Sequence, residues 1–456
     1  MLQKTQDLTQ GNLRLQILSF SVPLAASNML QVLFNMSDIA VVGRYAGAEA
    51  LGSVGSTATL VTLYTGFLIG MGSGINALVA RYLGAHDKKN ISETVHSSFI
   101  ISLCLGLLIS VFCFFCSPLF LRLLGTKDEL IDGAVLYLRI YSLGLPAMAI
   151  YNFGNAVFSA AGNTRKPLAY LSVAGVINVI LNLFFVIVCK MAAGGVALAT
   201  IISQSISAVL MFISLVRSEA DYRVELRSAR LYRGKTGPIL TLGLTSGFQH
   251  AIFALANLFI QGAVNTFDAV VVEGNSAAAN ADSIVYEVMA AVHTACASFI
   301  GQNYGAHNKR RIRNSYFLCT AYSFGIGAIL GLSLVIFGRS FLSLFTTEEA
   351  VINAGMLRLN VMGLSYAFSA FMDCTISAAR GLGKSVVPMI IVIIGSCIFR
   401  VVWIYTVFAY FRTIRSLYLL YIFSWAITAA AEMIYFYICY RRQVTCMSSD
   451  SIITGT

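Results

Sequence analysis

The sequence predicts an all-α polytopic membrane protein, with twelve transmembrane helices in two pseudo-symmetric six-helix lobes. Three observations carry this. The chain of 456 residues is 57% hydrophobic and only 11% charged, where soluble chains carry roughly 25% charged residues. Its charge is gathered in short clusters between apolar runs of roughly 20 residues, the length that crosses a bilayer core. And the motif Gly84-Ala85-His86-Asp87-Lys88-Lys89 returns as Gly305-Ala306-His307-Asn308-Lys309-Arg310, a shift of 221 residues. That period is too long for a solenoid and marks an internal duplication. In a membrane protein it points to a two-lobed transporter with its site between the lobes.

The twelve apolar runs cover approximately 15–40, 53–80, 95–122, 133–158, 168–189, 195–216, 237–264, 279–301, 315–345, 353–378, 386–408 and 417–440. Twelve crossings return both termini to one side. Gly66, Gly70, Gly72 and Gly74 crowd the second run and read as a close helix-packing surface. Pro23 and Pro146 lie inside runs, where a missing N–H kinks a helix. Pro167, Pro238 and Pro388 lie near run starts, where proline costs little.

The formal net charge is +11. With the N-terminus inside, the inner loops and tails hold 21 Lys and Arg and the outer loops hold 6. The positive-inside rule then places both termini in the cytoplasm, for a multi-pass protein of the cell's inner membrane. Topology accounts for the basic excess, and no nucleic-acid partner is expected. The first fourteen residues are polar and no small-residue cleavage site follows, so no removable signal peptide is expected. Cys113-x-x-Cys116 lies in Phe-rich apolar sequence and reads as two core cysteines. Asn90-Ile-Ser92 fits a glycosylation sequon but falls on the inner side.

The duplication extends beyond the loop. Leu138-Arg139-Ile140 with Gly144-Leu145 returns as Leu357-Arg358-Leu359 with Gly363-Leu364, and Ala160-Ala161-Gly162 to Arg165 as Ala379-Arg380-Gly381 to Lys384. Asn35 and Asp38 align with Asn265 and Asp268 after a gap. Six crossings separate equivalent points, so the halves are parallel repeats related by an axis along the membrane normal. The expected organisation is an N-lobe over 1–216, an Arg-rich cytoplasmic connector over 217–236 and a C-lobe over 237–456.

No soluble-enzyme motif is present: no Walker loop, no strand-linked GxGxxG, no HExxH. His86, His96 and His307 sit in or beside inner loops. His250 and His293 sit in spans without a second ligand at metal spacing. No catalytic residue, cofactor or transition-metal centre is expected. The informative residues are acids within spans: Asp38, Asp282, Glu287, Asp373 and Glu432. An ionised carboxylate at the bilayer centre costs about 2.5–3.5 kcal/mol on insertion scales, so it persists where it binds an ion, relays a proton or faces a wet cavity. Asp38 is the strongest candidate, with Asn35 one turn away; the alternative is an interfacial acid hydrated at the outer surface. Asp282 and Glu287 lie near a run start. Arg139, Arg358 and Arg400 can neutralise some of these acids or snorkel. Asn178 and Asn182 share one helix face, as do Thr200 and Gln204 on the next helix. Oxygen donors from these helices with Asp38 suit a hard cation or a proton; interhelical hydrogen bonding alone is the competing reading.

At this point the chain resembles the multidrug and toxic compound extrusion (MATE) family of the bacterial type. The motifs are Leu8-Thr9-Gln10-Gly11-Asn12, Asn35-Met36-Ser37-Asp38 with Val42-Gly43-Arg44, Ala80-Arg81-Tyr82-Leu83-Gly84-Ala85, Gly301-Gln302-Asn303-Tyr304-Gly305-Ala306 and Arg380-Gly381-Leu382-Gly383-Lys384. Each is weak alone; in this order they cover almost the whole chain. The resemblance implies two six-helix lobes opening alternately to either side, and efflux of organic cations and amphipathic compounds against Na⁺ or H⁺. It also implies a coupling site at Asp38, Asn178, Asn182 and Thr200, including a Na⁺ site there. Asn182 departs from the pattern, which has an acid at that position. Asp373 matches an Asp used by another branch as a substrate or secondary coupling residue. The seventh run lacks the Glu that would complete that second site.

The expected function is therefore secondary active multidrug export: antiport of small cationic or amphipathic molecules against H⁺ or Na⁺. Asp38 would bind the ion, with Asn35, Asn178, Asn182 and Thr200 shaping its site. The expected partners are a small-molecule substrate and the lipid bilayer, and a monomer is expected. Two rivals remain. A lipid-linked oligosaccharide flippase of the same superfamily needs a basic cavity, for which Arg139, Arg358 and Arg400 are thin support. An intramembrane enzyme would have only His250, His293, Asp373 and Glu287 to work with.

Overall fold

A computed structural model describes the backbone of residues 6–450 and the side chains in that range apart from 364 and 444–450. Twelve helical segments succeed one another, in register with the twelve apolar runs. They are α1 (Leu13–Tyr45), α2 (Gly47–Gly84), α3 (Lys88–Leu123), α4 (Asp128–Leu143, resumed as Leu145–Ala160), α5 (Arg165–Val188), α6 (Ala192–Val216), α7 (Arg233–Val264), α8 (Ala269–Gly305), α9 (Lys309–Leu342), α10 (Glu349–Gly381), α11 (Val386–Phe411) and α12 (Ile414–Asp450). The described residues contain no strand. Ten of these helices are long and apolar enough to cross a membrane by themselves, and the two pieces of α4 make an eleventh when taken together. α10 falls outside that group; it carries Arg358, Asp373 and Arg380 within its length.

The break in α4 is the expected proline kink. The pieces meet at 46° around Gly144, and Pro146 is the second residue of the new piece. Proline offers no N–H to the preceding turn, so the ladder opens there. α8 starts at Ala269, well before the expected 279, because Asp268 caps it: its side chain accepts from the Val271 N–H at 3.1 Å. Asp282 and Glu287 consequently sit inside the helix, not near its start, and Asp268 serves as a cap.

The repeated loop has a local physical reason. His86 and His307 both adopt the left-handed region (φ 52° and 55°) and close the preceding helix. Asp87 and Asn308 then cap the next helix, each accepting from a backbone N–H three residues on, Asn90 at 3.1 Å and Arg311 at 3.0 Å. A short side-chain oxygen at the N-cap satisfies an orphan donor, and Asp and Asn do this equally.

The chain packs as two compact units. The first holds residues 26–83 and 87–251; the second holds 7–25, 84–86 and 252–450. The divisions fall inside α1, around the turn between α2 and α3, and inside α7. In the first unit the glycines of α2 do what their spacing suggests. A β-carbon on Gly70 would lie 2.5 Å from the Ser246 carbonyl oxygen, and one on Gly74 would lie 2.5 Å from the Gly243 nitrogen. Glycine therefore lets the backbones of α2 and α7 touch. The connector is tied to α3: the Glu225 N–H donates to His96 Nε2 at 2.9 Å and the Tyr232 N–H to Ser97 Oγ at 3.0 Å. His96 Nδ1 meets the Ser92 carbonyl at 2.7 Å. Nδ1 must donate and Nε2 accept, which fixes the neutral tautomer.

In the second unit the lead-in Leu8–Asn12 is strapped down by the Gly301-Gln302-Asn303 motif. The Leu8 N–H donates to Gln302 Oε1 at 3.0 Å, and its carbonyl accepts from Asn303 Nδ2 at 3.2 Å. Arg311 spreads its guanidinium over the carbonyls of Leu8, Gln10 and Gly11. Two motifs that look unrelated in the sequence are thus one contact.

Candidate ion-coupling site

Asp38, Asn178, Asn182 and Thr200 come together within the first unit. Asp38 lies one turn beyond Phe34 on α1; Asn178 and Asn182 lie beyond Gly175 on α5. The Phe34 ring occupies the space where Gly175 has no side chain, and a β-carbon there would lie 1.7 Å from Phe34 Cζ. This close approach brings the Asp38 carboxylate to the asparagine face. α5 widens into a π-helical turn over Phe184–Val188, two residues after Asn182, a distortion found often at functional sites. α6 supplies Thr200.

The four side chains form a closed circuit. Asn182 Nδ2 donates to Asp38 Oδ1 and, at 3.1 Å, to Asn178 Oδ1. The Thr200 hydroxyl donates to Asp38 Oδ2 at 3.1 Å, and Asn178 Nδ2 reaches Thr200 Oγ at 3.5 Å. The same hydroxyl lies 2.9 Å from the Val196 carbonyl. With one proton for two acceptors, it is held by Asp38 only while that carboxylate draws it. Asp38 is 7% exposed and Asn182 is fully buried. Asn182 Oδ1 has no hydrogen-bond partner, which is costly in a buried site. The orphan has a use. If Asp38 takes a proton, the Asn182 amide can turn and accept it through Oδ1. If a cation enters, the same oxygen can join its shell.

Tyr137 and Tyr141 stack at 6.0 Å and stand within the field of Asp38. A small cavity lined by Tyr141, Gly144, Met148, Thr200 and Gln204 adjoins the circuit. Gln204 Oε1 in its wall has no hydrogen-bond partner. Asn35 stays outside: it is exposed on α1 and makes none of the circuit's bonds. Sequence reasoning missed Gly175, whose signal is a glycine one turn before the asparagine pair.

Asp373 belongs to the second unit, half-buried on α10 within the field of Arg380 and Arg400. Arg358 is spent on Asp282, donating to its Oδ2 from Nε at 3.0 Å, while Tyr366 donates to Oδ1. Arg400 donates to Ser424 Oγ at 3.2 Å and Asn257 Oδ1 at 3.3 Å. Arg139 is exposed. No group of three or more His, Cys, Asp or Glu suited to a metal occurs among the described residues. Cys113 and Cys116 are both free thiols.

The MatE family model matches residues 23–184 and 246–406, one copy in each half. The chain belongs to the MatE family. MatE proteins are membrane transporters rather than enzymes, and this chain carries multiple apolar spans. A probable multidrug resistance protein of Bacillus subtilis, YpnP, is 27% identical over 87% of this chain and 89% of its own. A probable NorM multidrug resistance protein of Thermotoga maritima is 23% identical over 88% and 87%. A Shewanella oneidensis FAD transporter is 22% identical over 84% of each chain. Among solved structures, an outward-facing multidrug resistance MATE family transporter of the MOP superfamily superposes with a TM-score of 0.89 at 21% identity. That match spans 98% of this chain and all of the other. The MatE fold is therefore common to both, with Asp38, Asn178, Asn182 and Thr200 set on its first, fifth and sixth helices.

Proposed function

We propose that this MatE protein is a secondary active exporter of small cationic or amphipathic molecules, driven by inward flow of H⁺ through Asp38. The observation that carries the reading is the circuit of Asp38, Asn178, Asn182 and Thr200. Its one carboxylate is buried, met by neutral donors, and has no arginine or lysine among its hydrogen-bond partners. Such a group is ready to take a proton or a cation. The Asn182 amide offers its nitrogen, a donor and not a cation ligand, to the carboxylate, and the acid that would strengthen a Na⁺ site is absent. Both features favour H⁺ over Na⁺. Protonating Asp38 removes the charge that draws Asn182 and Thr200 inward, so α1, α5 and α6 repack and bias the alternation between outward- and inward-open forms. One charge crossing 100 mV supplies about 2.3 kcal/mol, to which a pH gradient adds.

The substrate class rests on the relatives named for multidrug resistance and on a chain that is 12% aromatic, suited to flat cations. The same proposal takes the protein as a monomer in the inner membrane with both termini cytoplasmic, as its loop charge predicts. The flippase reading loses ground, because Arg358 is neutralised by Asp282 and Arg400 is held by Ser424 and Asn257.

The test is efflux of ethidium from proteoliposomes with a pH gradient and a Na⁺ gradient imposed separately. Export driven by the pH gradient and abolished in Asp38→Asn is expected. No response to either gradient would remove the exporter reading. A response to Na⁺ alone would replace the coupling ion.

A further inference from the structure

Glu432, on α12, is fully buried, and neither of its carboxylate oxygens has a hydrogen-bond partner. One turn before it, the Thr428 hydroxyl is engaged with Ser396 Oγ at 2.9 Å and the Ser424 carbonyl at 2.7 Å. One turn after it, Phe436 packs on Tyr316 with ring centroids 4.7 Å apart. An ionised carboxylate without a donor does not persist in such a place; a buried acid becomes neutral instead.

The charged and titratable groups around it set the terms of release. From α10, Arg380 is itself buried and its field reaches Glu432. Arg380 also faces Asp373 on its own helix and Tyr286 on α8, with Glu287 beyond Tyr286. From α11, Arg400 acts on Asp373. On α12 itself, Tyr435 is near. One guanidinium, Arg380, is thus shared by the carboxyls of Asp373 and Glu432.

We propose that Glu432 is a proton-binding site of the second unit, separate from Asp38, with Arg380 as the counter-charge to the carboxylate that proton release leaves behind. In this conformation the carboxyl carries its proton. When the packing of α10 against α12 shifts, the O–H bond breaks, the proton passes to water, and the carboxylate left behind pairs with Arg380. This does not rest on the exporter reading, since proton binding is measurable with no substrate present.

The experiment is infrared difference spectroscopy of the full-length protein in liposomes, between acid and alkaline buffer. The wild type is expected to lose a protonated-carboxyl carbonyl band that Glu432→Gln never shows and Asp38→Asn retains. Arg380→Gln is expected to keep that band to higher pH, because the cation favouring the ionised form is gone. A Glu432→Gln spectrum identical to wild type would overturn the proposal. Should Glu432→Gln not fold, an unshifted carboxyl titration in Arg380→Gln would overturn it equally. Loss of the Asp38-dependent efflux alone would leave these bands unchanged, so the two readings fail separately.

Discussion

The Phe34 ring fills the space beside Gly175: a β-carbon on residue 175 would lie 1.7 Å from Phe34 Cζ. Each residue is one turn from the polar circuit on its own helix, so this contact sets the distance from Asp38 to Asn178 and Asn182. Gly175→Ala must push α1 from α5. Overpacking of this kind costs about 1–3 kcal/mol. The expected result is a lower thermal midpoint in detergent together with loss of ion-driven efflux. Gly262→Ala is the control, since nothing lies within 4 Å of its β-carbon. Wild-type efflux from Gly175→Ala would show that this spacing does not control the site.

Asn182→Asp adds a second carboxylate to an oxygen set that otherwise has one. Two acids attract a hard cation more strongly than one. Efflux from proteoliposomes should then respond to an imposed Na⁺ gradient where the wild type does not. An unchanged response would mean that residue 182 does not select the ion.

The Asp282–Arg358 pair is structural. Arg358 also donates to Asn275 Oδ1 at 2.7 Å, and its guanidinium lies over the Tyr418 ring at 5.4 Å. Removing one partner of a buried pair leaves the other charge exposed to a low-dielectric interior, at about 3–5 kcal/mol. Arg358→Met is expected to destabilise strongly, and Asp282→Leu combined with it to recover part of the loss. Additive effects across this double-mutant cycle would rule out direct coupling.

Asp87 offers a pH test outside the membrane. The backbone N–H of Asn90, and then its side-chain amide, hold the Asp87 carboxyl below the usual carboxylate range. A depressed acid contributes stability above its unfolded pKa and loses it as pH falls through the folded one. Amide exchange in the first turn of α3 should therefore speed up as the buffer is acidified through and below the ordinary Asp range. Asp87→Asn should flatten that dependence without loosening the helix at neutral pH, because Asn308 already caps α9 in this way. Equal pH profiles for the two proteins would exclude the cap as the cause.

Composition and the period of the apolar runs were enough to place twelve helices, because a bilayer admits little else at that hydrophobicity. The repeated Gly-Ala-His loop was legible as a duplication, and Asp38, Asn178, Asn182 and Thr200 were legible as polar residues that hydrocarbon would not tolerate unpaired. Their spacing put the two asparagines on one face. It could not say that Asn182 would turn its nitrogen to Asp38 and leave its oxygen without a partner, since that depends on helices whose contacting residues are 144 apart in the chain. The close approach at Gly175 is of the same kind: a glycine signals room for a neighbour without naming which. Asn35, one turn from Asp38 in sequence, was drawn toward the site by proximity along the helix, yet it is exposed and makes none of the circuit's bonds. Asp282 and Glu432 looked alike as intramembrane acids. Tertiary packing separated them, giving one an arginine to pair with and the other no donor at all, because burial and partners are properties of the assembled helices and not of either residue.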